Sequence, residues 1–215
     1  LQAGCRQWFS NEEVVLPAKT TSFKAWSESL HHYVDLQCHD RSGCLDEDLN
    51  YWDGILPEEV PSLPLDYPQA TNLEKDSAQT VFALTAKETQ QLVQQAPQKY
   101  RVGALELLLV AFQSAWHKWS GDHTLLLDLE NHGRDLPLDG VDVSRTVGWF
   151  TAMFPLVLSK GPMQSLDGMI KAVKEQLRQM PHHGVGFGLL RHLAHDPAVS
   201  RRVRYWPHPT IAFNY

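Results

Sequence analysis

The chain has 215 residues, 43% of them hydrophobic, enough to fill the core of one large globular domain or two small ones. Its net charge of -6, with basic residues scattered rather than blocked, leaves no electrostatic footprint for nucleic acid or an anionic membrane, and no apolar run is long enough to span a bilayer. Three cysteines and no signal-peptide pattern argue against a disulfide framework and for a reducing cytoplasm.

The chain opens inside an apolar segment and stops on Tyr215 within a strand-like run, which leads to the expectation of a fragment. Residues 1–14 read as the tail of a helix, and Ser22 as the cap of the next. There Phe23, Trp26, Leu30 and Val34 recur on one face, with Lys24, Glu28 and Asp35 turned away. Cys38 to Gly54 reads as irregular with a short helix around Trp52, and Pro57, Pro61, Pro64 and Pro68 mark an extended crossing segment at about 55–75. Gln79 to Leu84 reads as a strand, handed to a helix by a capping box of Thr85 and Glu88. Ala104 to Trp119, apolar nearly all round, is expected to be a helix buried against a sheet and ended by Ser120-Gly121-Asp122.

Thr124 to Asp135, TLLLDLENHGRD, is the stretch around which the chain is organised: a strand that breaks into a polar glycine turn. Thr146 to Leu158 reads as another strand or a strand with a loop, Leu166 to Met180 as an amphipathic helix, Gly184 to Gly188 as a loop, Leu189 to Ala194 as a short helix and Thr210 to Tyr215 as a strand. Strands and helices interleave, so the fold class is α/β.

Period two places Leu125, Leu127 and Leu129 on one face of the central strand and Leu126, Asp128 and Glu130 on the other. A strand buried on both sides that ends in acids delivers Glu130 to the rim of the core, where desolvation tunes a carboxyl for proton transfer. The competing structural reading is an ion pair between Glu130 and Arg134. His132 suits an orienting hydrogen bond better than a base, and Arg134 suits a clamp on a carboxylate or phosphate. The glycines at 184, 186 and 188 do not form a phosphate loop and are expected to allow a tight turn or a close approach of a ligand to the backbone. Cys38, His39 and Cys44, with His31 and His32, match no common zinc spacing, so no metal is expected.

The order of motifs resembles the C-terminal half of an epimerization domain of nonribosomal peptide synthetases, a branch of the condensation-domain superfamily. The likeness rests on LELLLVA at Leu105 to Ala111, LENHGRD at Leu129 to Asp135, SRTVGWFTAMFP at Ser144 to Pro155, PHHGVGFGLLR at Pro181 to Arg191 and FNY at Phe213 to Tyr215. LPAKTTSFKAW at Leu16 to Trp26 and LPLDYP at Leu63 to Pro68 also look like that family. RTVGWF followed by a proline distinguishes the epimerization branch from ordinary condensation domains.

The resemblance implies a chloramphenicol-acetyltransferase-like half, a mixed sheet packed with helices, whose active site lies in a tunnel against a second half. It implies that residues 1–215 are the C-terminal subdomain and that the family's histidine pair, followed after three residues by Asp-Gly, lies in a segment before Leu1. Within this chain His31-His32 leads to Leu36 and Gln37, and His182-His183 to Phe187 and Gly188, so neither pair fits. The family's catalytic glutamate is matched by Glu130 and its motif arginine by Arg134, while Asn214 and Tyr215 match the terminal motif. Asn131, Asp135, Glu106 and Phe187 depart from the residues usual at those places. Adjacent on a strand, Asn214 and Tyr215 are expected to face opposite sides, with only one reaching the tunnel unless a bulge intervenes.

The implied reaction inverts the α-carbon of an aminoacyl or peptidyl thioester held on the 4'-phosphopantetheine arm of a peptidyl carrier protein, with no bound cofactor. The partners are that carrier protein and the N-terminal half of the same domain, without which the fragment is expected to be inactive. The rival expectations are a condensation domain forming a peptide bond and a non-catalytic interface module.

Overall fold

The computed structural model describes residues 2–39, 44–60, 63–71, 73–136, 138–159 and 165–215. Helix α1 (Gln2–Phe9) has no buried residue, and α2 (Phe23–His39) docks through Leu30 and Val34, as its periodicity predicts. Its N-terminal turn is capped by Ser22, whose Oγ accepts from the Ala25 amide at 3.1 Å.

The short helix read around Trp52 is present but longer than expected, forming α3 (Cys44–Ile55) over most of the stretch read as irregular. Leu45, Asp48, Leu49 and Trp52 lie on its buried face, a three-and-four spacing that marks a helix despite the polar residues between them. Trp52 is fully buried, with its ring centroid 5.2 Å from that of Phe187 and 6.2 Å from that of Phe154. The side chains of Cys38, His39 and Cys44 lie outside the described residues, and among the described residues no cluster of His, Cys, Asp or Glu is arranged to hold a metal.

Among the described residues of the proline-rich stretch, those from 64 to 71 are exposed and outside helix and strand, and a 3-10 turn follows at Glu74–Asp76. Residues 79–84 do not form the expected strand. They are extended but unpaired, with Phe82 91% exposed, because β-propensity without a neighbouring strand makes no ladder. The capping box is present: Glu88 Oε2 accepts from the Thr85 amide at 2.8 Å and Thr85 Oγ1 accepts from the Glu88 amide at 3.3 Å, opening α4 (Ala86–Gln90). A π-helical turn then leads to α5 (Ala96–Tyr100).

Helix α6 (Ala104–Ser120) buries Leu109, Val110, Gln113 and Trp116, and the Trp116 indole donates to the Thr124 carbonyl at 3.0 Å, tying the helix to the strand that follows. Strand β1 (Thr124–Asn131) pairs antiparallel with β2 (Ala152–Ser159) and parallel with the two-residue β3 (Ala212–Phe213), giving the order β2-β1-β3. The predicted strand from Thr146 begins only at Ala152, and the terminal strand ends at Phe213. Pro155 is tolerated in β2 because that strand lies at an edge of this sheet.

Leu125, Leu127 and Leu129 face the core together with their cross-strand partners Leu158, Leu156 and Phe154. On the other face Leu126 is buried, but Asp128 and Glu130 are half-buried and Met153, opposite Glu130, is exposed. Burial on both sides therefore holds only for the start of β1.

Helix α7 (Leu166–Gln179) buries Met169, Ile170 and Val173 and packs on α6. The glycine-rich stretch is not a loop: after a 3-10 turn at Pro181–Gly184 it forms α8 (Val185–His192), followed by α9 (Pro197–Arg204). The glycine at 186 permits the close approach of a side chain rather than of a ligand, since a Cβ there would lie 2.0 Å from Asp48 Oδ1 on α3.

Trp52→Ala is expected to cost about 3–5 kcal/mol of stability, read by urea unfolding, because it empties a site packed against Phe187 of α8 and Phe154 of β2; a loss below about 1 kcal/mol would show that this aromatic cluster does not hold α3 to the sheet.

Candidate active site

At the end of β1 the chain leaves the core and turns at Gly133, whose φ is +64°. A Cβ there would lie 1.8 Å from the Phe150 carbonyl oxygen, so only glycine lets the two family motifs, around Glu130 and around Phe150, lie backbone against backbone. His132 serves this turn: its Nδ1 accepts from the Arg134 amide at 3.2 Å, leaving the proton on Nε2, which faces Asp135 Oδ2 at 3.4 Å.

Arg134 does not pair with Glu130. Its guanidinium donates to the carbonyl of Val143, donates to that of Thr146 at 3.0 Å, and lies over the Phe150 ring at 3.8 Å from the centroid. The expected clamp on a substrate anion is thus a brace for the loop between residues 143 and 150. That loop is held from its other side by residues 18–21. Thr21 and Asp142 exchange bonds through the Thr21 amide and hydroxyl, Thr146 donates to the Thr21 carbonyl, and Arg145 donates to the Ala18 carbonyl. Phe23, Trp26 and Phe150 close the cluster with centroids 4.6–5.2 Å apart. The braced loop leaves Val147 and Trp149 95% and 81% exposed at its tip.

Glu130 finds its partner elsewhere. β3 pairs Phe213 with Leu129, which puts the next residue, Asn214, beside Glu130, and Asn214 Nδ2 donates to Glu130 Oε2 at 2.8 Å. Because β3 has already ended, strand alternation does not apply. Asn214 and Tyr215 both line one open groove of about 920 Å³, together with Glu130, His132 and Arg134, contrary to the expectation that they face opposite sides. All five candidate residues are therefore brought to one place. One carboxylate oxygen of Glu130 is held by Asn214, while Oε1 has no donor among the described residues.

The acid on β1 with a raised proton affinity is Asp128, which burial pushes above the usual carboxylate range despite the opposing influence of His208 and Arg191.

Two residues near the site were not anticipated. Asp48, fully buried on α3, pairs through Oδ2 with His182 Nδ1 at 2.8 Å, and its Oδ1 has no partner among the described residues. His182 and His183 both take left-handed backbone, with φ of +45° and +50°. This turn reaches the site because the Asn131 amide donates to the His183 carbonyl at 3.4 Å. The sequence signal was an acid on an otherwise apolar face, visible only once residues 44–55 are recognised as a helix. The hydrogen bond to Asp48 raises the His182 pKa above its ordinary value, against the opposing effect of burial.

The Condensation domain family model matches residues 1–203. Among curated relatives, the chain is 38% identical over 215 residues to a linear gramicidin synthase of Brevibacillus parabrevis, covering 100% of this chain and 4% of that protein. It is 42% identical over 211 residues to chondramide synthase of Chondromyces crocatus, covering 98% and 5%. The chain thus spans about one-twentieth of the length of these relatives. Among solved structures, the epimerization domain from the third module of tyrocidine synthetase B superposes with a TM-score of 0.82 at 31% identity, covering 100% of this chain and 46% of that one. The first condensation domain of the calcium-dependent antibiotic synthetase superposes with a TM-score of 0.62 at 15% identity over 99% of this chain and 43% of that one, a likeness of fold alone.

Two outcomes are expected of these contacts. Arg134→Lys, which loses the two-carbonyl fork and the stacking on Phe150, should cost about 1–3 kcal/mol and speed tryptic cleavage after Arg145; an unchanged cleavage rate would show that the loop is held without it. A histidine with a raised folded pKa stabilises most below its unfolded value of about 6.5, and that contribution is lost as pH rises through the raised value. The stability gap between the native protein and His182→Gln should accordingly shrink from about pH 6 to about pH 9, and a gap that widens would contradict the pairing.

With a family match across residues 1–203 and a mixed sheet packed by helices in the arrangement of condensation and epimerization domains, this chain belongs to the Condensation domain family.

Proposed function

We propose that this chain is the C-terminal subdomain of an epimerization domain, with residues about 55–75 as its crossing segment, and that Glu130 is the acid/base that exchanges the α-proton of an aminoacyl or peptidyl thioester. The observation that carries this reading is the Glu130 carboxylate. It lies in an open groove with one oxygen held by Asn214 and the other without a donor among the described residues, in a chain that superposes at TM-score 0.82 on an epimerization domain.

The chemistry is a two-sided proton transfer. The Cα–H bond breaks, its electron pair moves into the thioester carbonyl as an enolate, and a proton returns to Cα on the opposite face. Glu130 serves one face. A second group, supplied by the N-terminal half of the same domain, serves the other or stabilises the enolate, since one carboxylate does not reach both faces. Asn214 holds the carboxylate in position, Arg134 and His132 hold the loops that shape the groove, and Tyr215 lines it. The substrate arrives on the 4'-phosphopantetheine arm of a peptidyl carrier protein, and the reaction needs no metal or soluble cofactor.

A condensation activity is the second reading, favoured by the family description itself. Solvent-deuterium exchange at the α-carbon in the complete domain separates the two, because peptide-bond formation leaves the α-proton in place. Glu130→Gln retains an oxygen that can accept from Asn214 but cannot take up a proton. It is expected to slow exchange and inversion by about 10²–10⁴-fold. Wild-type rates in that variant would remove Glu130 from the chemistry.

A further inference from the structure

A second, smaller cavity of about 140 Å³ adjoins the groove near Glu130. Leu105, Glu130 and Asn131 border both spaces, so the two adjoin at the end of β1, with the cavity on the core-facing side of the sheet's rim. The inner walls are apolar: Leu129 and Phe154 come from the sheet, and Leu177 and Met180 from the end of α7 and the residue after it. His183 borders the cavity from the strained turn, and the Asn131 side chain spans the junction. Its amide donates to the His183 carbonyl and its carbonyl oxygen accepts from the His132 amide at 2.7 Å.

We propose that this cavity receives the side chain of the amino acid whose α-carbon is presented to Glu130, and that it selects aliphatic and single-ring aromatic side chains; this rests on the epimerization reading given above. The side chain stays bonded to Cα throughout the exchange. Anchoring it beside Glu130 keeps Cα at the carboxylate while the proton leaves one face and returns on the other, and the larger groove remains for the thioester.

Volume and polarity set the class. An apolar cavity of about 150 Å³ holds one benzene ring, so this one has room for a leucyl, methionyl or phenylalanyl side chain and crowds the larger indole. A charged side chain would lose its water against Leu129, Phe154, Leu177 and Met180, and an acidic one would also face the Glu130 carboxylate. The polar group at the junction, Asn131, already spends both ends of its amide on the chain itself.

The test uses the complete synthetase module containing this chain, with alanyl, phenylalanyl and tryptophanyl thioesters on the same carrier protein and α-proton exchange as readout. Leu177→Phe and Leu105→Phe fill the cavity from two different helices. Each should lower the ratio of phenylalanyl to alanyl exchange by at least about tenfold, in the range expected when an apolar pocket changes by a methylene or more. Met180→Ala enlarges the cavity and should raise tryptophanyl relative to phenylalanyl exchange. Because each ratio is taken within one preparation, a reduced folded fraction cancels. Ratios within about twofold of wild type in both filling variants, in an enzyme whose exchange still collapses with Glu130→Gln, would overturn the side-chain cavity and leave the acid/base role standing. A shifted ratio in an enzyme indifferent to Glu130→Gln would support the cavity and overturn the acid/base role.

Discussion

Arg134 reaches across from the turn after β1 and binds the backbone carbonyls of Val143 and Thr146 while lying on the ring of Phe150. Three segments meet there: the end of the central strand, the nearby loop that precedes β2, and the threonine-rich run before α2, more than 100 residues away in sequence. A guanidinium suits this junction because its planar fork satisfies two carbonyls at once and its face stacks on an aromatic ring. Gly133 makes the contact possible by letting the two backbones touch, and the Phe23, Trp26 and Phe150 cluster seals it. Without that brace the groove beside Glu130 would lose one of its walls, since Val147 to Thr151 line it.

The sheet supplies the other requirement. β1 is paired along its full length with β2 on one side and at only two positions with β3 on the other. The short parallel pairing is sufficient to bring Asn214 to Glu130, but it ends at Phe213, so the last two residues leave the ladder and both enter the groove. Glu130 occupies the point where the strand's second face passes from buried Leu126 through half-buried Asp128 to the open edge. Burial raises the proton affinity of Asp128, and the glutamate lies within reach of the groove.

A second junction lies behind the first. The buried carboxylate of Asp48 is pressed against the first turn of α8, where the partial positive charge of the helix start favours it, and pairs with His182 in a left-handed backbone. Strained backbone of this kind persists only when its surroundings over-determine it. Here the His183 carbonyl accepts from Asn131 beside Glu130, linking the pair on α3 to the site through one turn.

By itself the sequence determined the long elements and singled out the candidate residues that share one groove. The period of Leu125 to Glu130, the amphipathic repeat of residues 166–180, the apolar run from Ala104 and the Thr85–Glu88 capping box are local patterns, and each produced the expected element because burial and capping act over a few residues. The motif order placed Glu130, His132, Arg134, Asn214 and Tyr215 together, and the structure brings them to one groove. Only the tertiary structure decided what those residues do to one another. Strand-like residues 79–84 found no partner, Gly184 turns against Phe154 and Gly186 packs against Asp48 at the start of a helix that buries Val185, Phe187, Leu189 and Leu190, and a helix formed over the polar stretch before Gly54 because one of its faces meets the core. The choice of Asn214 rather than Arg134 as the partner of Glu130 was likewise invisible, since it depends on a parallel pairing between residues 84 positions apart. Such pairings are set by the packing of the whole sheet, which no local pattern encodes.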